Sequence, residues 1–442
     1  MNEKGEQTMN QPDFQLKQQN FSGVSQFYRT TPTRAYVVEV GLSSSIRGDI
    51  LQEAVNATLR RMPYFSDALA ERNGDFYYAV NPLPFEVAET QTLRRVGGAQ
   101  TNWHCVDVTY WNDTVWFSMF HGFCDGLGLN LFIEATLYNY FCIRDGKQYA
   151  VEGVRTPDSP VLPEEEKDAF GQAHDLPEDF TWNFFAEKFM HFPEIDEKPL
   201  DYMYGVPVKV KEDEFMRFVK ENKSTPVAML HVLMAGAVQA VHPDNEQTVG
   251  ALVPASLRRH LGAENTFKNC SGALRLPYRM EEMRGLSFEE QAQRARALLK
   301  QANVPEPARY IANQMGGALR KMSAAIPNFA GRLPYLDFQK NSTNDTYMID
   351  YVGGLKAGEY GREIVRTKYM ATNIDRNFST VTLYISATGG CFHFEIVRAF
   401  ESGVYVDAFL DQLSRHGIAY VREPESRYVT PENGLITDLG LL

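Results

Sequence analysis

The sequence lacks the cysteine patterns that mark disulfide-rich proteins and zinc-binding proteins. No two of its five cysteines have a Cys-x-x-Cys spacing. An odd number of scattered cysteines is typical of free thiols in a reducing compartment. We therefore expect no disulfide framework and no metal site. The five are Cys105, Cys124, Cys142, Cys270 and Cys391.

Basic character is also scarce. The 442 residues carry a formal net charge of −12 at pH 7, and no long run of lysine or arginine offsets it. Proteins that bind nucleic acid without sequence preference depend on Lys/Arg clusters, which neutralise phosphates and release counterions. The composition therefore predicts no nucleic-acid partner.

Long apolar runs are missing as well. The most apolar window, residues 226–241, is interrupted by His231 and is shorter than the about 20 residues that cross a bilayer. The first twenty residues are polar and contain no apolar segment typical of a signal peptide. We predict a buried helix at 226–241, no membrane span and a cytoplasmic, monomeric protein.

The length predicts two domains, because single domains usually contain about 100–200 residues. Between residues 155 and 179, prolines and the run Glu164-Glu165-Glu166 replace apolar residues, which is typical of a solvated linker. We predict a flexible lead at 1–20, one domain at 21–160, a linker at 161–195 and a second domain at 196–442.

Hydrophobic periodicity predicts strands and helices of similar style in both halves. The fold class expected is an α/β or α+β pseudo-dimer with a ligand site between the halves. Strands are predicted at 34–42, 75–80, 102–109, 114–120, 206–211, 248–254, 346–351, 380–385 and 391–397, and helices at 49–62, 129–140, 226–241, 287–302 and 405–416.

One stretch has a pattern typical of a catalytic site. Phe120-His121-Gly122-Phe123-Cys124-Asp125-Gly126-Leu127-Gly128 follows the apolar run 114–119. A histidine at the end of a strand, with an Asp-Gly pair four residues on, can hold a general base at a strand-to-turn junction. Cys124 is better interpreted as a small buried apolar group than as a nucleophile. Three other histidines are interpreted as structural: His104, His231 and His393.

The run from His121 to Gly126 resembles the His-x-x-x-Asp-Gly signature of the CoA-dependent acyltransferase superfamily. That superfamily includes chloramphenicol acetyltransferase, nonribosomal peptide condensation domains, plant BAHD acyltransferases and alcohol acetyltransferases. Val253-Pro254-Ala255-Ser256-Leu257-Arg258 is similar to a Val-Pro-x-x-Leu-Arg segment of condensation-type members. The resemblance covers most of the chain in layout, but only these two short segments in residues.

This resemblance implies two chloramphenicol acetyltransferase-like halves that form a V around a channel. The motif histidine would lie at the middle of the channel, with a donor thioester entering from one side and an acceptor from the other. The donor would be coenzyme A or a phosphopantetheine arm, with no cofactor bound permanently.

The resemblance also implies roles for single residues. His121 would be the base, and an imidazole with a free pKa of about 6.5 accepts protons at cell pH. Asp125 would be a structural carboxylate paired with Arg258. Four residues complete the predicted site: Gly126 for the tight turn, Asn269 or Ser271 for the developing oxyanion, and Phe123 in an acyl channel.

Two departures from the family pattern limit the comparison. Many condensation domains carry two histidines in tandem, whereas Phe120 precedes His121 here. The catalytic role belongs to the second histidine, so this change is compatible with activity. The plant-type Asp-Phe-Gly-Trp-Gly segment is absent, which argues against that subgroup.

Three functions remain open from the sequence. The first is transfer of an acyl group from acyl-CoA to an alcohol or amine by direct attack. The second takes the acyl group from an acyl carrier protein, as a condensation or ester-forming enzyme would. The third is a non-catalytic binding or scaffold protein, which the intact His121, Asp125 and Gly126 disfavour.

Overall fold

The computed structural model describes residues 11–20, 35–182, 187–196, 200, 202–341, 345–372 and 381–429. These residues form a mixed α/β structure with three sheets and flanking helices. The strands are β1 (Gln15–Asn20), β2 (Ala35–Leu42), β3 (Ala68–Arg72), β4 (Asp75–Val80), β5 (Ala88–Glu89), β6 (Val106–Trp111), β7 (Thr114–Phe120), β8 (Tyr202–Lys211), β9 (Val249–Ser256), β10 (Ser271–Tyr278), β11 (Tyr347–Gly353), β12 (Ile364–Thr372), β13 (Val381–Thr388), β14 (Cys391–Arg398), β15 (Tyr420–Arg422) and β16 (Ser426–Val429). The α-helices are α1 (Gly48–Arg61), α2 (Gly126–Asp145), α3 (Glu212–Glu221), α4 (Pro226–Val241), α5 (Arg258–Leu261), α6 (Met280–Met283), α7 (Phe288–Ala302), α8 (Pro305–Ala325), α9 (Phe329–Asn341) and α10 (Val404–Arg415).

The sheet that carries the motif strand has the order β12-β2-β7-β6-β5. β2 and β7 are antiparallel, with Tyr36 opposite Met119 and Ala35 opposite Phe120. β12 comes from late in the chain and pairs antiparallel with β2. The predicted boundaries do not account for this pairing, because β12 lies in the range assigned to the second domain.

The largest sheet has the order β10-β9-β11-β13-β14-β8-β15, and β16 also pairs with β8. Its inner strands β9, β11 and β13 are parallel to one another. On one face, a core of side chains from α4, α7 and α10 packs against residues such as Ile349 and Leu383. Along β11 the alternate residues 348, 350 and 352 turn towards the other face, where a cavity lies. The buried helix predicted at 226–241 is confirmed by α4.

The N-terminal lead is partly structured, which corrects the prediction of a flexible segment at 1–20. β1 pairs antiparallel with β4, and Phe14 just before it is buried. Residues 1–10 of the predicted lead lie outside the described residues.

The predicted linker is not simply solvated either. Glu165 is buried and forms a bidentate ion pair with Arg61 of α1, at 2.7 and 3.0 Å. Phe170 is also buried in the core beneath the large sheet. A composition rich in proline and glutamate hid these contacts, because each depends on a partner distant in the sequence.

Most predicted elements agree with the structure, and the strand predicted at 102–109 shows where periodicity was insufficient. Asn102 and Trp103 adopt left-handed backbone conformations, with φ of 47° and 59°. A strand cannot continue through such residues, so β6 begins only at Val106. The remaining elements were not predicted from the sequence: β1, β3, β5, β10, β12, β15, β16, α3, α5, α6, α8 and α9.

No helix in the described ranges is by itself long and apolar enough to span a membrane. α3 and α4 pass that test only as a pair, with a bend of 83° between them. In the same described ranges, no group of three or more His, Cys, Asp or Glu side chains is arranged to hold a metal ion.

Candidate active site

The motif forms a short loop between two rigid elements. β7 ends at Phe120, and α2 begins at Gly126. Two buried tyrosines hold the loop between them: the Tyr64 hydroxyl donates to the Phe123 carbonyl at 2.6 Å, and the Tyr78 hydroxyl donates to the Gly122 carbonyl at 3.3 Å. The backbone that carries His121 is therefore fixed by β7 and α2 at its two ends and by hydrogen bonds from Tyr64 and Tyr78.

Asp125 anchors this loop through both carboxylate oxygens. Oδ1 accepts hydrogen bonds from the Gly128 backbone N–H at 2.8 Å, as the N-cap of α2, and from Arg258 Nη2 at 2.7 Å. Oδ2 accepts from Arg258 Nη1 at 2.7 Å and from the Cys270 backbone N–H at 2.9 Å. The carboxylate thus joins the motif loop to two separate segments of the other half of the chain.

Arg258 is as fully engaged as its partner. It is buried, and it also donates to the backbone carbonyls of Thr266 and Lys268. Burial disfavours the charged form of Asp125, but the Arg258 guanidinium and the backbone N–H donors outweigh it and hold the pKa of this carboxyl below its usual value. The pair is therefore ionised and satisfied at neutral pH.

Two glycines let the start of α2 pack closely. Gly126 does not adopt a left-handed conformation; a Cβ there would lie 3.2 Å from the Tyr36 hydroxyl and from Val352. At Gly128 a Cβ would lie 2.2 Å from the Phe267 carbonyl oxygen. The close approach of the Phe267 backbone therefore requires glycine at position 128 more strongly than any contact does at position 126. No role for Gly128 was predicted from the sequence.

His121 lies on a cavity of about 490 Å³. Strands of both large sheets contribute to its wall: β2 of the motif sheet, and β8, β9, β10, β11, β13 and β14 of the other. The wall includes the second predicted segment, 253–256, and much of the remainder is apolar. His121 itself is partly exposed, so its imidazole is accessible from the cavity.

The structure separates the other predicted site residues. Ser271 lines the cavity. Asn269 does not: it is buried, and its side-chain oxygen accepts a hydrogen bond from the Ser271 backbone N–H at 3.1 Å. Phe123 is also absent from the wall, because it stacks on Tyr64 in the core with ring centroids 4.3 Å apart. The predicted role for Phe123 in an acyl channel is therefore corrected to packing beneath the loop.

Two further residues that line the cavity, Tyr36 and Asp350, were not predicted from the sequence. The Tyr36 ring lies edge-on to the imidazole, with centroids 5.2 Å apart. Asp350, on β11, also lines the cavity, and burial raises its pKa to about 7. The negative charge of Asp125 adds to this rise, while the nearby Tyr36 hydroxyl opposes it. A lone acid inside the apolar strand Tyr-Met-Ile-Asp-Tyr was the available signal for Asp350.

The remaining candidates have structural environments. Cys124 is fully buried against Met119, and burial raises the pKa of its thiol well above the ordinary value. His231 is buried beside the Tyr347 hydroxyl, 2.9 Å from its Nδ1, and burial lowers its pKa to about 3. His104 and His393 are buried as well, and each contacts backbone carbonyls.

Comparison with known proteins gives matches in structure only, since no protein-family model and no curated protein sequence matches the chain. TRI3 trichothecene 15-O-acetyltransferase from Fusarium sporotrichioides superposes with a TM-score of 0.57 at 12% identity, over 93% of this chain and 98% of that one. F. graminearum TRI101, solved with coenzyme A and T-2 mycotoxin, gives 0.53 at 11% identity, over 91% and 97%. The nonribosomal peptide synthetase FmoA3 gives 0.58 at 13% identity, over 92% of this chain and 44% of that one.

These similarities establish the fold. The chain has the same overall mixed α/β fold as TRI3, TRI101 and the matched part of FmoA3. At these identities the match concerns architecture alone, and any activity must be argued from the cavity.

Proposed function

We propose that this protein is an acyltransferase that moves an acyl group from a thioester, either acyl-CoA or an acylated phosphopantetheine arm, to an alcohol or amine. The observation that carries the proposal is the position of His121 on a cavity wall, on a loop held by the buried Asp125–Arg258 pair. In this proposal the two halves form the V implied by the resemblance, and the cavity is part of the channel between them.

The reaction follows from a base beside an apolar cavity. His121 takes a proton from the acceptor hydroxyl or amine as its oxygen or nitrogen attacks the thioester carbonyl. The tetrahedral intermediate collapses with cleavage of the C–S bond, and the thiolate receives the proton from the imidazolium. Ser271 is the predicted donor to the oxyanion, since it lines the same cavity. No acyl group is bonded to the enzyme at any stage.

The Asp125–Arg258 pair contributes to this reaction by holding the loop that carries His121. Its carboxylate is occupied by four hydrogen bonds and has no free oxygen to orient an imidazole. We therefore assign it the role of fixing the loop, with His121 as the chemical residue of the motif.

The test is a thioester assay of the parent and of His121→Ala. Acyl-CoAs are incubated with small alcohols and amines, and thiol release is followed with a thiol reagent. Loss of a general base typically lowers the rate by about 10²–10⁴-fold. His191→Ala, at an exposed histidine away from the cavity, is the matched control and should retain the parent rate.

Equal thiol release by His121→Ala and the parent would contradict the proposal. Acylated carrier proteins are assayed in parallel, and turnover with them alone identifies the phosphopantetheine arm as the donor. An intact mass of the protein that increases by one acyl group after incubation with donor alone would rule out direct attack.

A further inference from the structure

The cavity contains one acidic group that the proposed reaction does not use. Met348 and Asp350 turn to the cavity on β11, whereas Tyr347 and Ile349 turn to the core beneath the sheet; at the end of the strand, where the register becomes irregular, both Tyr351 and Val352 line the cavity. The alternation of a strand explains this placement. Because much of the surrounding wall is apolar, packing alone does not explain why an acidic residue occupies this position.

The groups facing Asp350 come from several elements. Tyr384 is its register partner on β13, and the hydroxyl of Tyr36 on β2 lies close to its carboxyl. Asp125, at the start of α2, and Tyr369, on β12, also interact with it electrostatically. The imidazole of His121 packs edge-on against the Tyr36 ring.

Asp350 differs from Asp125 and Arg398, the other charged residues of the wall, in its ion pairing. Asp125 is paired with Arg258, and Arg398 is paired with Glu425 at 2.6 Å. In the described parts of the chain Asp350 takes part in no ion pair with a lysine, arginine or histidine. A ligand that brings its own positive charge would therefore stabilise the ionised carboxyl.

The rest of the wall defines the body of such a ligand. Most of its larger side chains are aliphatic or thioether groups, which favour an apolar molecule because burial releases water from both surfaces. They include Leu252, Leu274, Leu299, Met315 and Met348.

We propose that the acyl acceptor is an amine on an apolar body, and that Asp350 binds its ammonium group and accepts the proton that the nitrogen must lose before attack. This inference rests on the proposed function. It adds the substrate class and assigns a specificity residue.

The proton balance requires an acceptor for each of two protons, and Asp350 is the acceptor proposed for the first. An ammonium has no free electron pair, so one N–H proton must leave before the nitrogen attacks the carbonyl. That proton goes to the Asp350 carboxylate and then to solvent. A second N–H proton goes to His121 during attack and on to the leaving thiolate.

The site makes the first transfer less costly than it is in bulk water. Desolvation lowers the pKa of an amine and raises that of a carboxyl, so in the cavity the two approach one another. Burial and the charge of Asp125 raise the pKa of Asp350 to about 7. A neutral alcohol needs no such step and forms no ion pair with Asp350.

The test compares hexylamine with hexanol, both as acceptors with the same acyl-CoA and as ligands in titration calorimetry. Asp350→Asn should lower kcat/KM for hexylamine at least about tenfold, as expected on loss of a charge-assisted hydrogen bond, and change that for hexanol little. Asp411→Asn, at an exposed acid on α10, is the control of equal charge.

Calorimetry is a readout that does not depend on catalysis. Hexylamine binding by the parent should weaken as the pH falls from 8 to 5.5, because protonation of Asp350 removes its charge; binding by Asp350→Asn should be weak at both values. Equal hexylamine binding by the parent and Asp350→Asn, or binding by the parent that does not change with pH, would overturn the inference.

The two proposals fail differently. If acyl transfer depends on His121 but hexylamine binds equally well to the parent and to Asp350→Asn, only the amine inference is wrong. If hexylamine binds through Asp350 and no thioester is ever consumed, the acyltransferase proposal is wrong while the amine site remains. A parent enzyme that prefers hexanol to hexylamine would also overturn the inference.

Discussion

Asp125 and Asp350 are two carboxyls on the wall of one cavity, and their pKa values are shifted in opposite directions. Both are shielded from bulk solvent. Arg258 and two backbone N–H groups compensate Asp125, whereas a tyrosine hydroxyl and a second negative charge surround Asp350. The comparison teaches that burial alone does not decide the charge of an acid: the donors aimed at it do. One carboxyl is therefore suited to holding structure, and the other to exchanging a proton.

The largest loss of stability is expected when the ion pair between Asp125 and Arg258 is broken. Asp125→Asn leaves the Arg258 guanidinium buried without a counter-charge, and such changes cost about 3–5 kcal/mol. We expect that loss in the free energy of unfolding, measured by urea denaturation, together with loss of acyl transfer.

Glu165→Gln is the matched control, because it breaks another buried bidentate pair, that of Glu165 with Arg61. It should reduce stability similarly and leave acyl transfer unchanged in the folded protein. If Asp125→Asn kept both parental stability and parental turnover, the anchoring role of the pair would be wrong.

The next effect concerns the packing that brings Asp125 to Arg258. Gly128→Ala forces a Cβ against the Phe267 carbonyl oxygen, which lies in the segment leading to Cys270. Overpacking of this kind costs about 1–3 kcal/mol, and we expect that loss in urea denaturation.

Gly126→Ala should cost less, because its Cβ would meet side-chain atoms at 3.2 Å and these can shift. A smaller loss for Gly128→Ala than for Gly126→Ala would show that the backbone approach at Gly128 is not the tight contact described.

The effect of Asp350 on stability depends on pH, and its substitution is expected to stabilise the protein rather than destabilise it. The pKa is raised to about 7 in the folded protein, against about 3.9 in an unfolded chain. The folded state thus binds the proton more tightly, and wild-type stability falls as the pH rises from about 4 towards 7. Asp350→Asn should therefore gain stability relative to the parent at pH 8 but not at pH 4, as measured by thermal unfolding.

The pH dependence that Asp125 gives to the free energy of unfolding has the opposite sign. Its pKa is lowered in the folded state, so its contribution is present above the unfolded pKa of about 3.9 and is lost as the pH falls through the folded value. A stability difference between Asp350→Asn and the parent that is the same at pH 4 and pH 8 would contradict the comparison.

Local patterns in the sequence predicted most of the elements, because each depends on neighbours along the chain. The capping box Ser287–Glu290 marks the start of α7, and Gly417 follows α10 in a left-handed conformation. The motif loop could also be located, since an apolar strand and a helix surround it. Resemblance, rather than periodicity, paired Asp125 with Arg258.

What the sequence could not supply was the identity of neighbours in space. β12 joins the motif sheet from about 320 residues beyond β2, and no local signal encodes that pairing. Phe123 and Asn269 were predicted near the substrate, yet they lie in the core because a loop residue's direction depends on what packs behind it. Glu165 looked like part of a solvated acidic run until Arg61 was found against it.

The sequence by itself determined the chemistry available to this protein: a histidine at a strand end, an aspartate that caps the following helix, and apolar strands able to bury them. Only the tertiary structure decided which acid is neutralised by a partner and which faces a cavity without one. The physical reason is that the pKa of an acid depends on burial and on nearby charges, and both come from segments far apart in the chain.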